Sequence, residues 1–163
     1  MRPLAPALAA LLALAPVAAG AGNLVVGVGY YDFSDMNALD SPVIELELHS
    51  NPLWHFAGAD WSIGGVVEHQ ESGDAFVGIG PSGVWPLGNR WFVEGSLMPG
   101  YFGDSGISNE LGGDFQIRTL LGVGFAVSDR LSLSLAASHM SNADTASRNP
   151  GANALSLRTR WSF

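Results

Sequence analysis

Apolar and polar residues alternate one for one over short stretches of this chain, and each stretch stops at a cluster of Gly, Asn, Asp or Pro. A period of two is the pattern of a strand with one apolar face, not of a helix. The last stretch shows it best. From Leu155 to Phe163 the odd positions are Leu155, Leu157, Thr159, Trp161 and Phe163, and the even ones are Ser156, Arg158, Arg160 and Ser162. The same parity predicts eight strands, over residues 24–31, 43–50, 61–69, 75–86, 91–101, 115–127, 131–141 and 154–163. Eight antiparallel strands can close into a barrel.

The charges say which face points where. Glu45, Glu47 and His49 alternate with Ile44, Leu46 and Leu48; Glu94 is opposite in parity to Val93 and Leu97; Gln116 and Arg118 oppose Phe115, Ile117, Leu121, Val123 and Phe125. A soluble sandwich would hide its apolar face and leave the other uniformly solvated. Here the charge sits on the less apolar face of several strands. In a membrane barrel that face is the lumen, where Glu45, Glu47 and Glu94 can neutralise Arg118, Arg158 and Arg160. Side chains fill so narrow a barrel, and it does not conduct. The predicted fold class is therefore all-β, an eight-stranded antiparallel transmembrane β-barrel.

Connection lengths agree with outer-membrane topology. Residues 87–90 and 128–130 are short turns, expected in the periplasm, whereas 32–42, 102–114 and 142–153 are long and polar. The segment 51–60, NPLWHFAGAD, is long for a periplasmic turn, and its Trp54, His55 and Phe56 are expected at the membrane interface. Trp61, Trp85, Trp91 and Trp161 fall near strand ends, as an aromatic girdle requires.

Composition narrows the function. Seven cations, all Arg, stand against 15 acidic residues for a net charge of −8, which argues against nucleic-acid binding. The absence of Cys excludes disulfides, thiolate metal sites and cysteine nucleophiles, and His49, His55, His69 and His139 are too scattered for a zinc site. Residues 1–21 carry Arg2, a Leu/Ala-rich run and small residues at Ala19 and Ala21, which reads as a secretory signal peptide followed by a barrel over 22–163. Gly27-x-Gly29 and Gly122-x-Gly124 lack the following helix of a nucleotide loop and suit tightly curved strands instead. The loop carboxylates Asp32, Asp35, Asp40, Asp104, Glu110 and Asp114 fit no calcium-loop spacing.

One constellation remains. Odd parity on the seventh strand runs Leu131, Leu133, Leu135, Ala137, His139, Ser141, so His139 and Ser141 share the lipid face, about 7 Å apart at Cα by strand rise. Asn153 is odd as well, in line with Leu155 and Leu157 on the adjacent strand. Three polar groups thus converge at the outer rim of an apolar wall, where polar groups are costly unless they bond one another.

The terminal Phe163 resembles the carboxy-terminal signal of bacterial outer-membrane barrels, and His139-Met140-Ser141-Asn142, together with Gly78-Ile79-Gly80-Pro81 and Pro99-Gly100-Tyr101, resembles the PagL family of outer-membrane lipid A deacylases. The resemblance implies a serine esterase on the barrel exterior that removes the 3-O acyl chain of lipid A without a metal or organic cofactor. Ser141 matches the nucleophile, His139 the base, Asn142 an activity-critical residue and oxyanion donor, and Asn149 the loop asparagine of Asn-x-Gly. The family's type members carry a glutamate where this chain has Asn153; an amide oxygen can orient the ring but lends no charge to the imidazolium. Asp144 is an alternative acid. The implied partners are lipopolysaccharide in the outer leaflet and the bacterial outer membrane, with a homodimer open to it. The rival expectations are a non-catalytic barrel, an adhesin or structural protein, and a soluble periplasmic barrel with an internal apolar ligand site.

Overall fold

A computed structural model describes residues 21–33, 40–106 and 111–163. The predicted signal peptide, except Ala21, and the loop residues Asp35 and Glu110 lie outside these. The strands are β1 (Ala21–Phe33), β2 (Ser41–Ser50), β3 (Trp54–Phe56), β4 (Ala59–Gln70), β5 (Ala75–Pro86), β6 (Trp91–Gly103), β7 (Phe115–Ala126), β8 (Leu131–Ser141) and β9 (Ala152–Ser162). Each pairs antiparallel with its neighbour, β2 passes directly to β4, and β9 returns to β1, so eight strands close and only the short β3, paired with β4 alone, keeps an edge. The three-residue β3 is the addition to the predicted eight. It makes 51–60 a hairpin that extends β4 past the barrel, with Trp54 opposite Trp61 and a left-handed turn at Ala57 and Gly58.

Parity holds around the barrel. Val28, Tyr30, Ile44, Ile79, Leu97, Leu121, Leu135, Leu155 and Leu157 are exposed on the outer wall, a continuous apolar surface that in water would be prohibitive and in a bilayer is solvated. Inside, Arg118 is clasped by Glu45 at 2.5 Å, by Glu47 at 3.0 Å and by Glu68. Arg158 meets Glu45 at 2.8 Å, Glu47 at 2.6 Å and Glu94 at 2.9 Å, and Arg160 meets Glu94 at 2.7 Å. Tyr31 donates to Glu68 at 2.5 Å and His49 meets Glu47 at 2.7 Å, so the expected plug is present and Glu68, His49 and Tyr31 join it. This ionic packing leaves no place for the internal apolar ligand of the soluble-barrel alternative.

Glycines make room for the plug. A Cβ at Gly124 would stand 2.1 Å from the Phe92 ring, and one at Gly122 would stand 2.9 Å from Ala136 and 3.1 Å from Glu94. The Gly-x-Gly of β7 is therefore a steric recess for inward side chains of β6. Beyond the ions toward the outer end, Tyr31, Val43, Val66, Phe76, Met98, Phe102, Leu111 and Met140 close the interior with an apolar cap.

The aromatic belts differ at the two ends. All five Trp lie on the outward face at the end that carries the short turns, with Trp61 and Trp85 edge to face at 5.2 Å and Trp91 against Phe125 at 5.1 Å. At the opposite end the exposed Tyr and Phe residues among those described are Tyr30, Tyr101 and Phe115. That end also carries the long connections, though one of its links, Glu71 to Asp74, is short.

Candidate active site on the outer wall

The site is built by register. Thr119 of β7, His139 of β8 and Asn153 of β9 are directly paired, so they form one row across three strands, with all three side chains on the outward face. Opposed residues on one face of a sheet have Cβ atoms about 5 Å apart, which short polar side chains can bridge. The bridge is made: His139 Nδ1 lies 2.8 Å from Asn153 Oδ1. With the proton on Nδ1 donated to that oxygen, Nε2 keeps its lone pair.

Ser141 is one outward step further along β8, paired with Ile117 and half-buried. No hydrogen bond joins its Oγ to His139 among the described residues. Such a gap is common in unliganded catalytic sites, where the nucleophile–base bond tightens on binding. Below the row, an open groove of about 470 Å³ runs past His139 and Asn153, walled by Thr119, Leu121 and Ala137. Ala137 sits between Leu121 and Leu155 in the next row, and its small side chain forms the groove floor.

Immediately after Ser141 the chain turns sharply. Thr145 N donates to Asn142 O at 3.1 Å, and both central residues, Ala143 (φ 52°) and Asp144 (φ 60°), are left-handed without being glycine. Such residues cost roughly 1–2 kcal/mol each and mark strain at functional sites. The backbone N–H groups of Ala143 and Asp144 have no protein acceptor among the described residues.

Asn142 requires a correction. Its even parity turns it inward, where it is fully buried, and its Nδ2 donates to Leu111 O at 3.1 Å and Arg148 O at 2.6 Å. Both amide hydrogens are spent, so the side chain is a clasp between two outer loops and not an oxyanion donor. Asn149 completes the clasp, accepting from Asn142 N at 3.0 Å and donating to Asp144 Oδ1 at 3.0 Å. Asp144 is thereby held in the loop and is no acid for His139. Of the other loop carboxylates, Asp104 accepts from Gly106 N at 2.6 Å, and Asp40 and Asp114 are exposed. No group of three or more metal-ligating side chains is found among the described residues.

Two neighbours complete the site, Gly151, which is the glycine of the Asn-x-Gly segment, and Thr119, which the reading of the sequence did not single out. Gly151 (φ 69°) is packed so that a Cβ would meet the His139 Cε1 at 2.9 Å. Thr119 was legible in principle, as the polar odd position between Ile117 and Leu121 on a strand whose other outward residues are apolar.

A closed eight-stranded barrel, ionic within, apolar without, and bearing a His, Ser and Asn set on its lipid-facing wall, defines an outer-membrane β-barrel. Residues 41–162 match the family model of PagL, lipid A 3-O-deacylase, and the chain belongs to that family. At that level it is a member of a hydrolase family of the outer membrane that deacylates lipid A. Among solved structures it is similar to the outer membrane enzyme PagL, at 18% identity and TM-score 0.70 over 86% of this chain and 99% of that one. Neisserial surface protein A is similar at 12% identity and TM-score 0.55, over 86% and 95% of the two chains. A de novo designed transmembrane β-barrel is similar at 11% and 0.53, over 88% and 97%. Likenesses at these identities speak for the fold alone. No curated protein matches the chain.

Proposed function

We propose that this protein is a serine esterase that hydrolyses the acyl ester at the 3-O position of lipid A. The observation that carries the proposal is the 2.8 Å contact of His139 Nδ1 with Asn153 Oδ1 on the lipid face, two residues from Ser141. His139 Nε2 takes the proton of Ser141 Oγ as the oxygen attacks the ester carbonyl. The tetrahedral oxyanion is received by the backbone N–H groups of Ala143 and Asp144, which the left-handed turn leaves unbonded. As the carbonyl carbon–oxygen bond breaks, the imidazolium gives its proton to the departing sugar oxygen, which leaves as a hydroxyl, and water cleaves the resulting acyl-enzyme by the same route. Asn142 and Asn149 act through the loop, by holding that turn against Leu111 and Arg148. Lipid A reaches the site laterally, because its acyl chains already lie against the outer wall.

The test is mass spectrometry of lipid A from outer membranes containing the wild type or Ser141→Ala. Loss of one hydroxyacyl mass only where Ser141 is intact supports the esterase. An unaltered lipid A with correctly folded wild-type protein removes the proposal and favours the non-catalytic barrel.

A further inference from the structure

The row that carries His139 and Asn153 does not end at β9. On its other side Asn153 pairs with Asp32 of β1, so His139, Asn153 and Asp32 follow one another across three strands. Grouped with the loop carboxylates when the sequence alone is read, Asp32 is the last residue but one of a strand. It keeps step with Val28 and Tyr30, which are exposed on the outer wall.

Asn153 leaves a choice open that this neighbour can settle. Its Oδ1 is committed to His139 Nδ1 at 2.8 Å, and its Nδ2 has no acceptor among the described residues. The two ends of an amide are alike in size, and either can meet the ring: the oxygen accepts from Nδ1–H, whereas the NH2 donates to a bare Nδ1. Only the first arrangement serves catalysis. With the proton on Nδ1, Nε2 has the lone pair that takes the Ser141 proton; with Nδ1 bare, Nε2 carries the proton and is no base. An amide that selects the wrong tautomer in a serine triad costs ~10⁴ in rate.

Resting on the esterase reading of the same site, we infer that Asp32 is a positioning residue for His139, acting through Asn153. A carboxylate accepts hydrogen bonds and never donates one, so at the Asp32 register position it favours the amide with its NH2 toward β1 and its oxygen toward β8. Paired positions on one face are about 5 Å apart at Cβ, which places Asp32 one hydrogen bond from Asn153. His139 is a further strand away, about 10 Å at the strand spacing, where salt and water screen a direct attraction. Asp32 thus sets the tautomer of the imidazole without touching it.

The first measurement needs no turnover. In micelles, nitrogen-15 NMR of histidine-labelled Ser141→Ala protein reports the tautomer of His139, whose signals are assigned by their loss in His139→Gln. The Nδ1–H form is expected to dominate, to give way to Nε2–H when Asp32→Asn is added, and to persist with Asp32→Glu, which keeps the acceptor. The second measurement is hydrolysis of a 3-O-acyl glucosamine ester by proteins that retain Ser141. Asp32→Asn is expected to lower kcat about tenfold, the scale of one charge-assisted hydrogen bond, with KM little changed. Added to Asn153→Asp, where no amide remains to be oriented, the same substitution is expected not to slow the reaction. A residue that merely steadied the end of β1 would slow both backgrounds alike. A tautomer unmoved by Asp32→Asn, or equal slowing in the two backgrounds, overturns the inference while cleavage by the wild type keeps the esterase. If no form cleaves the ester but Asp32→Asn still shifts the tautomer, the esterase reading fails and the role of Asp32 toward the ring stands.

Discussion

Asn153 can be given a charge without altering its shape. Asn153→Asp keeps the side-chain length that sets the 2.8 Å contact with His139 Nδ1 and replaces a neutral amide by a carboxylate. Two things change. The amide can present either its oxygen or its NH2 to the ring and so tolerates both tautomers, whereas a carboxylate only accepts and holds the proton on Nδ1. The carboxylate also stabilises the imidazolium formed as Ser141 is deprotonated. Opposite charges about 4 Å apart gain about 4 kcal/mol at an effective dielectric near 20, and each 1.36 kcal/mol removed from the barrier is tenfold in rate. His139 and Asn153 are both exposed at the headgroup end of the wall, where water screens most of that gain, so the expected acceleration is about 10-fold. The assay is single-turnover hydrolysis of a 3-O-acyl glucosamine ester in mixed micelles, with each variant's folded fraction read from heat-modifiable gel mobility. Asn153→Ala is expected to be slower than wild type. Should Asn153→Asp hydrolyse no faster than wild type, or Asn153→Ala match it, while Ser141→Ala is inactive, the claim that residue 153 orients and charges the imidazole is wrong.

Other perturbations read other parts of the structure. Asn142→Ala leaves the carbonyls of Leu111 and Arg148 without their donors, a loss of about 1–3 kcal/mol; limited proteolysis of the 142–151 loop is expected to accelerate and hydrolysis to fall at least tenfold, with the barrel still folded. Gly151→Ala forces a Cβ into a left-handed position 2.9 Å from the His139 ring, so kcat is expected to drop without loss of membrane assembly, and an unchanged kcat would show that the ring is free to move. Arg118→Met leaves Glu68 without its cation in the lumen while Glu45 and Glu47 keep Arg158, which costs about 3–5 kcal/mol for an uncompensated buried charge; denaturant unfolding in micelles, followed by tryptophan fluorescence, is expected to shift accordingly.

The barrel was legible because a lipid-facing wall admits few exceptions to parity: a one-residue slip in β9 would carry Arg158 and Arg160 to the hydrocarbon and Leu157 and Trp161 to the lumen. The same strictness exposed His139, Ser141 and Asn153, whose polarity breaks the rule at one end of two adjacent strands. Parity is silent wherever a residue's task depends on a loop. Asn142 is a single step from Ser141, yet that step turns it inward, and its bonds go to carbonyls of two loops whose closure no period of two encodes. The β3 hairpin was hidden for a related reason, since Trp54 to Phe56 are too few to show a period. Its partners became visible only when Trp61 was seen opposite Trp54.

The asymmetry of the two barrel ends follows from what each must do. The short-turn end carries all five Trp, whose ring and N–H suit a fixed interface; Trp61 donates to Phe56 O at 3.0 Å and Trp85 to Ala57 O at 3.1 Å, which ties the projecting hairpin down. On the proposed esterase reading the opposite end admits a substrate sideways, and at that site its wall offers Ala137, Thr119 and a strained turn where a rigid belt would place large rings. An active site that faces lipid cannot be enclosed by the protein, so its order has to come from strand register below and loop clasps above. Replacing Ala137 by Trp would extend the ring-bearing wall across the groove, and on this reasoning it stops hydrolysis by blocking the acyl path while leaving the His139–Asn153 contact intact. A Trp variant that cleaves lipid A at the wild-type rate would show that the groove is not the route.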